Sequence, residues 1–157
     1  MTPAKGFNRP WPITILLFAS LTLNFMERLT LANVAPVLRT DLDISNTQYS
    51  VIVVVFMAGM TLGQLPAGIL IDWIGARLAL PVLFIGWSLA DMAHAFARGV
   101  ASLSVLRLIM GLFQYGNYSA GIKVIGGSFP AQPRALALAV FDSGTLAGSV
   151  LAPPLVV

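Results

Sequence analysis

The chain has 157 residues, 57% of them hydrophobic and only 10% charged, with a formal charge of +3 and no cysteine. Soluble domains carry roughly 25% charged residues, so this composition speaks against a water-soluble fold. The few charges are scattered rather than gathered into a basic patch, which argues against nucleic acid as a partner. Without cysteine there is no disulfide framework and no thiolate metal or redox site.

The first apolar segment runs from about Trp11 to Leu38. Its basic lead and oily run look like a signal peptide. They lack a small-residue cleavage site, and Glu27-Arg28 follows where one would stand, so a retained first spanning helix is expected. A charge at bilayer depth costs at least ~2.5–3.5 kcal/mol, so Glu27 and Arg28 need a polar partner or a wet cavity. Asn24 and Arg28 share one helical face. After Arg39, Asp41 and Asp43, the residues Ser45, Asn46 and Thr47 are candidate N-caps for the second segment, about Tyr49–Ile71. Gly59, Gly63 and Ala67 form a small-residue stripe along it, the kind that lets helix backbones approach in lipid.

A short loop is expected between this segment and the third, about Leu78–Ala97. Asp91 and His94 lie one turn apart near the outer end of the third segment. They could be half of a metal site, but a wet interfacial position with no specific role is the plainer reading. The fourth segment, about Leu103–Lys123, places Arg107, Gly111, Gln114 and Tyr118 on one face. The fifth begins near Ala135 and is still apolar at Val157. It carries Gly144 and Gly148 as a GxxxG pair, with Asp142, Thr145 and Ser149 as a polar stripe. Trp11, Trp73 and Trp87 suit interfacial or packing positions.

Each segment is near or above the ~20 residues that a helix needs to cross hydrocarbon, and none alternates as a barrel strand would. The fold class expected is an all-α membrane protein. Lys5, Arg9, Arg77, Lys123 and Arg134 fall on one side, and Arg39 and Arg98 on the other. That bias puts residues 1–10 in the cytoplasm and the chain in the cell inner membrane as a multi-pass protein.

Between the second and third segments, Gly68-x-Leu70-x-Asp72-x-x-Gly75-x-Arg77-x-x-Leu80 resembles the cytoplasmic signature of the major facilitator superfamily. Gly75 allows a tight turn there, and Asp72 can pair with Arg77 or a neighbouring helix. Trp73 and Ala76 stand where the family usually has basic residues, leaving Arg77 as the cation of the motif. Further matches narrow the resemblance to the anion:cation symporters. Leu23-Asn24-Phe25-Met26-Glu27-Arg28 resembles their first-helix "NYLDRxNLS". The run from Arg107 through Gly111, Gln114, Gly116 and Asn117 to Lys123 resembles "RxxxGxxEAGxxPxxxK". Phe129-Pro130 with Arg134-Ala135 resembles "WFPxxERA".

The resemblance implies a fold of two six-helix halves with the solute held between them. On that scheme this chain supplies four complete helices and most of a fifth, part of the N-terminal half. Gly68, Asp72, Gly75 and Arg77 would form the conformational-switch loop. Arg28 and Arg107 would bind the carboxylate of an organic anion, since a guanidinium fork pairs bidentately and stays charged. Asn24, Gln114 and Thr145 would line the same substrate path. The plainer alternative for each arginine is a structural ion pair, for instance with Glu27. Glu27 matches an acidic position implicated in proton coupling.

Three departures bear on mechanism. Gln114 replaces the coupling glutamate, Met60 replaces a solute-facing tyrosine, and Asp142 stands where a small polar residue or asparagine is usual. Asp142 is therefore a candidate for the acid that Gln114 cannot be. The function expected is proton-coupled symport of small organic anions such as sugar acids. The alternative is a non-transporting fragment or pseudogene product that needs a separate second half. Sodium in place of the proton stays open. No cofactor or metal is implied; the partners are the anion, H+, the bilayer and a C-terminal half. A membrane enzyme would need clustered ligands, against which the single His94 argues.

Overall fold

A computed structural model describes residues 10–41 and 43–156, which form five α-helices and one short 3-10 turn. In chain order these are α1 (Pro10–Asp41), α2 (Asn46–Ile74), α3 (Ala76–Ala93), a 3-10 turn (His94–Phe96), α4 (Val100–Ser128) and α5 (Ala131–Val156). Lys5, Arg9 and the rest of the N-terminal stretch before Pro10 lie outside the described residues, as does Val157.

Among the described residues, four helices are long and apolar enough to cross a membrane: Trp11–Thr40, Asn46–Ile74, Ala76–Phe96 and Ala131–Leu155. The 29-residue α4 is long enough but carries Arg107, Gln114, Asn117 and Lys123. It is the helix on which polar groups are concentrated and buried: Arg107, Gln114 and Asn117 are at most 4% exposed. The outward faces of the other helices are oily. Leu16, Leu65, Ile69, Met92 and Val150 are all exposed, as expected of surfaces solvated by lipid rather than water.

Local chemistry sets the helix ends. Ser45 caps α2: its Oγ accepts from the Gln48 N–H, and the Gln48 side chain accepts from the Ser45 N–H, a complete capping box. At the other end a single residue, Gly75, separates α2 from α3 with φ 81°, where a side chain would be strained. The expected loop from Gly68 to Arg77 is thereby corrected. Gly68 and Asp72 are in α2 and Arg77 is in α3, because charged residues at the ends of spanning helices remain helical while only glycine makes the turn.

The chain divides into two compact units, one bounded Met1–Val34 and Gly121–Val157, the other Ala35–Ala120. In the first, α5 lies against α1 through its small residues. A Cβ placed on Gly144 would meet the Phe18 carbonyl oxygen at 2.7 Å, and one on Gly148 the Thr22 carbonyl oxygen at 2.5 Å. Phe141 fills the space beside Gly121, and Trp11 meets the Phe129 ring edge-on at 5.3 Å between centroids.

In the second unit, α2 and α4 approach equally closely. A Cβ on Gly59 would come within 2.5 Å of the Leu108 carbonyl oxygen, and one on Gly111 within 2.6 Å of the Phe56 carbonyl oxygen. Gly63 faces the Leu112 backbone in the same way. Two buried clusters follow: Ala67, Ile71, Ala79, Leu83 and Ala120, and Phe56, Trp87, Ala90 and Met110. The small-residue stripes read in the sequence are thus backbone-to-backbone packing surfaces, as expected where lipid supplies no hydrophobic drive between helices.

Candidate functional site

Polar residues inside an apolar bundle define the candidate site, and each unit holds its own set. In the first unit, α1 carries Asn24, which is 2% exposed, followed by the half-buried Glu27 and Arg28. The Arg28 guanidinium lies 4.7 Å from the centre of the Phe25 ring, a cation–π contact one turn back on its own helix. Its Nε is buried without a hydrogen-bond partner. Thr14 and Ser20 add further buried hydroxyls along α1. On α5, Asp142 is exposed and Thr145 half-buried. The Thr145 hydroxyl donates to the Asp142 carbonyl oxygen at 2.8 Å, and the Ser149 hydroxyl to the Thr145 carbonyl oxygen at 2.8 Å. The donors of this stripe are therefore spent on its own backbone, and the hydroxyl oxygen of Thr145 retains only acceptor capacity.

The second unit holds Arg107 and Gln114 two turns apart on α4, buried at 4% and 1% exposure. The Arg107 guanidinium sits 5.7 Å from the centre of the Phe56 ring, and its Nη1 lies 4.0 Å from the Met110 sulfur. The ring face and the thioether fix the position of this planar cation within the cluster. Met60, in the position where a tyrosine was expected, is half-buried and packs against the same cluster of Phe56, Trp87, Ala90 and Met110.

At the α2–α3 junction Asp72 and Arg77 are both exposed on either side of Gly75. A Cβ on Gly68 would meet nothing within 4 Å, so its place in the motif is not a packing requirement.

Sequence reasoning assigned no specific role to two residues, Asn117 and His94. Asn117 is 1% exposed, one turn beyond Gln114. The Gln114-x-x-Asn117 spacing was the available signal for a second buried amide on the same face. His94, expected at the outer end of the third segment, lies where α3 gives way to the 3-10 turn. Its ring is half-buried, Nδ1 is 2.8 Å from the Ala90 carbonyl oxygen, and Nε2 is covered and without a hydrogen-bond partner. The 3-10 turn at His94–Phe96 follows directly on the end of α3. Among the described residues no group of three or more His, Cys, Asp or Glu could hold a metal ion.

A sequence profile of the Major Facilitator Superfamily matches residues 16–157. Over its full length the chain is 33% identical to the hexuronate transporter of Escherichia coli (strain K12), of which it covers 36%. It is also 33% identical over its full length to the galacturonate transporter of Dickeya chrysanthemi, covering 45% of that protein. Identity to the D-galactonate transporter of Escherichia coli O6:H1 is 27% over 98% of the chain and 36% of the relative. The chain therefore spans less than half the length of these curated relatives.

Proposed function

The chain belongs to the Major Facilitator Superfamily, and from that premise we propose that it serves in a secondary transporter that carries small organic anions, sugar acids first among them, together with protons. The superfamily is one of membrane transporters rather than enzymes. The substrate class rests on the relatives named for hexuronate, galacturonate and D-galactonate, each of which is a carboxylate.

The observation that carries this reading is Arg107. A permanently charged guanidinium, 4% exposed on a helix of a membrane protein, is expensive to bury. The reading gives it a reason: Arg107 receives the substrate carboxylate through two parallel N–H bonds once the carrier opens to one side. Arg28 is the second carboxylate-binding cation in this proposal, with Asn24 and Gln114 as amide partners for hydroxyls of a sugar acid and Thr145 as an acceptor. Glu27 and Asp142 are the proton carriers, since Gln114 holds no ionisable group. Gly68, Asp72, Gly75 and Arg77 form the element that changes conformation on the cytoplasmic side. The N-terminus faces the cytoplasm across the inner membrane. These are the roles of this chain's own residues; transport is a property of the whole carrier, and a chain that must associate with a separate second half is the other form of the same proposal.

The test is uptake of labelled galacturonate by cells that express the protein, with competition by hexonates and by neutral hexoses. Competition by sugar acids but not by their neutral counterparts is expected. Equal competition by the neutral sugars would end the organic-anion assignment.

A further inference from the structure

His94 takes no part in the roles above, yet the residue its ring touches, Ala90, belongs to the cluster that holds Arg107. Its Nδ1 is 2.8 Å from the Ala90 carbonyl oxygen. A carbonyl can only accept, so Nδ1 carries the hydrogen and the neutral ring bears its lone pair on Nε2. That Nε2 is buried with no hydrogen-bond partner. Ala90, which anchors the ring, is packed with Phe56, Trp87 and Met110, and these same Phe56 and Met110 side chains hold the Arg107 guanidinium.

The charged groups acting on the ring are Asp91 from α3 itself and Arg107 from α4. From α2 the cluster presents Phe56 and Met60, which carry no charge. Protonation at Nε2 leaves the bond to Ala90 in place, because both ring nitrogens donate in the cation. A proton can therefore be taken up without rearranging α3, and it adds a positive charge whose field reaches Arg107 across the shared cluster.

We propose that His94 makes anion binding at Arg107 depend on proton concentration: with the ring protonated, His94 adds its charge to that of Arg107 in attracting the carboxylate, and with the ring neutral it adds none. His94 acts through Arg107, as a positioning and charge-supplying residue rather than as a contact to the substrate. The effect on affinity rests on the carrier reading given above; the pairing of His94 with Arg107 does not.

The chain has one histidine, so the imidazole nitrogen spectrum of the full chain, labelled with 15N-histidine in lipid nanodiscs, reports this ring alone. The Nδ1–H tautomer is expected, with a titration midpoint that moves in Arg107→Gln. A midpoint unchanged by Arg107→Gln overturns the proposal. Galacturonate binding is then measured from pH 5 to 8.5, a window in which the sugar acid stays ionised. Wild type is expected to bind roughly tenfold more tightly at the acid end, a coupling of ordinary size. His94→Gln should lose the gain in affinity at the acid end that the ring supplies, and His94→Arg, a permanent cation, should keep that gain at both ends. A His94→Gln variant that keeps the wild-type pH profile overturns the proposal. Absence of galacturonate binding at every pH, with an imidazole still sensitive to Arg107, overturns the carrier reading instead.

Discussion

Gly59 of α2 faces the backbone of Leu108 on α4 so closely that a methyl group in its place would lie 2.5 Å from the Leu108 carbonyl oxygen. That oxygen belongs to a helix and cannot swing aside as a flexible side chain would. Gly59→Ala is therefore expected to force α2 and α4 apart and to destabilise the protein by about 1–3 kcal/mol, the usual cost of overpacking. Thermal unfolding in detergent measures it. A midpoint equal to wild type would mean that the two helices do not meet at these residues.

The two glycines of the motif at the α2–α3 junction should behave differently from each other. Gly75 has φ 81°, a conformation that costs an L-residue roughly 1–2 kcal/mol. Gly75→Ala is expected to lower stability by about that amount. Gly68 is helical with open space around it. Gly68→Ala should fold as well as wild type or gain up to about 1 kcal/mol from helix propensity. If Gly68→Ala folds normally but transports poorly, the glycine serves movement; if uptake is unchanged, its assignment to the switch fails.

Arg107 separates charge from geometry. Arg107→Gln removes both and should lower galacturonate uptake at least ~100-fold, consistent with the loss of a buried charged hydrogen bond. Arg107→Lys keeps the charge but lacks the fork and the stacking on Phe56, so it should restore little of that loss. Full uptake by the lysine variant would show that Arg107 acts as a point charge only.

Asp142 bears on proton coupling. Asp142→Asn is expected to abolish uptake driven by an inward proton gradient while leaving counterflow exchange of labelled for unlabelled substrate. Uptake that is still driven by an inward proton gradient in this variant removes Asp142 from the coupling scheme.

Much of the architecture was legible because apolar runs longer than a bilayer is thick have few alternatives. Trp11–Leu38 and Tyr49–Ile71 fall inside helices that extend further at both ends. The extensions are made by polar residues such as Asn46 and Thr40, which continue a helix at low cost once its core is nucleated. Ser45, Asn46 and Thr47 were equal as caps on paper. The structure selects Ser45 because Gln48 stands where the reciprocal bond needs it. The glycine stripes were legible as packing surfaces, but their partners were not: that Gly59 meets Leu108, and Gly148 meets Thr22, depends on tertiary approach. Arg107 could be marked from charge alone, whereas Phe56 and Met110, which hold it, look like any core residues. The contact of His94 with the Ala90 carbonyl was not legible, because the last turn of a helix can send a ring in either direction.

The Gly75 junction has a bearing on how length can vary in this chain. One residue joins two spanning helices, so there is no slack to absorb an insertion. A single added residue that continued the helix would turn everything downstream by about 100°, the angular step of an α-helix. Trp87 and Ala90 would swing away from Met110, and the seat of Arg107 would be dismantled from some four turns away along α3. Natural variants of this protein should thus tolerate changes in side chain at this corner far better than changes in spacing.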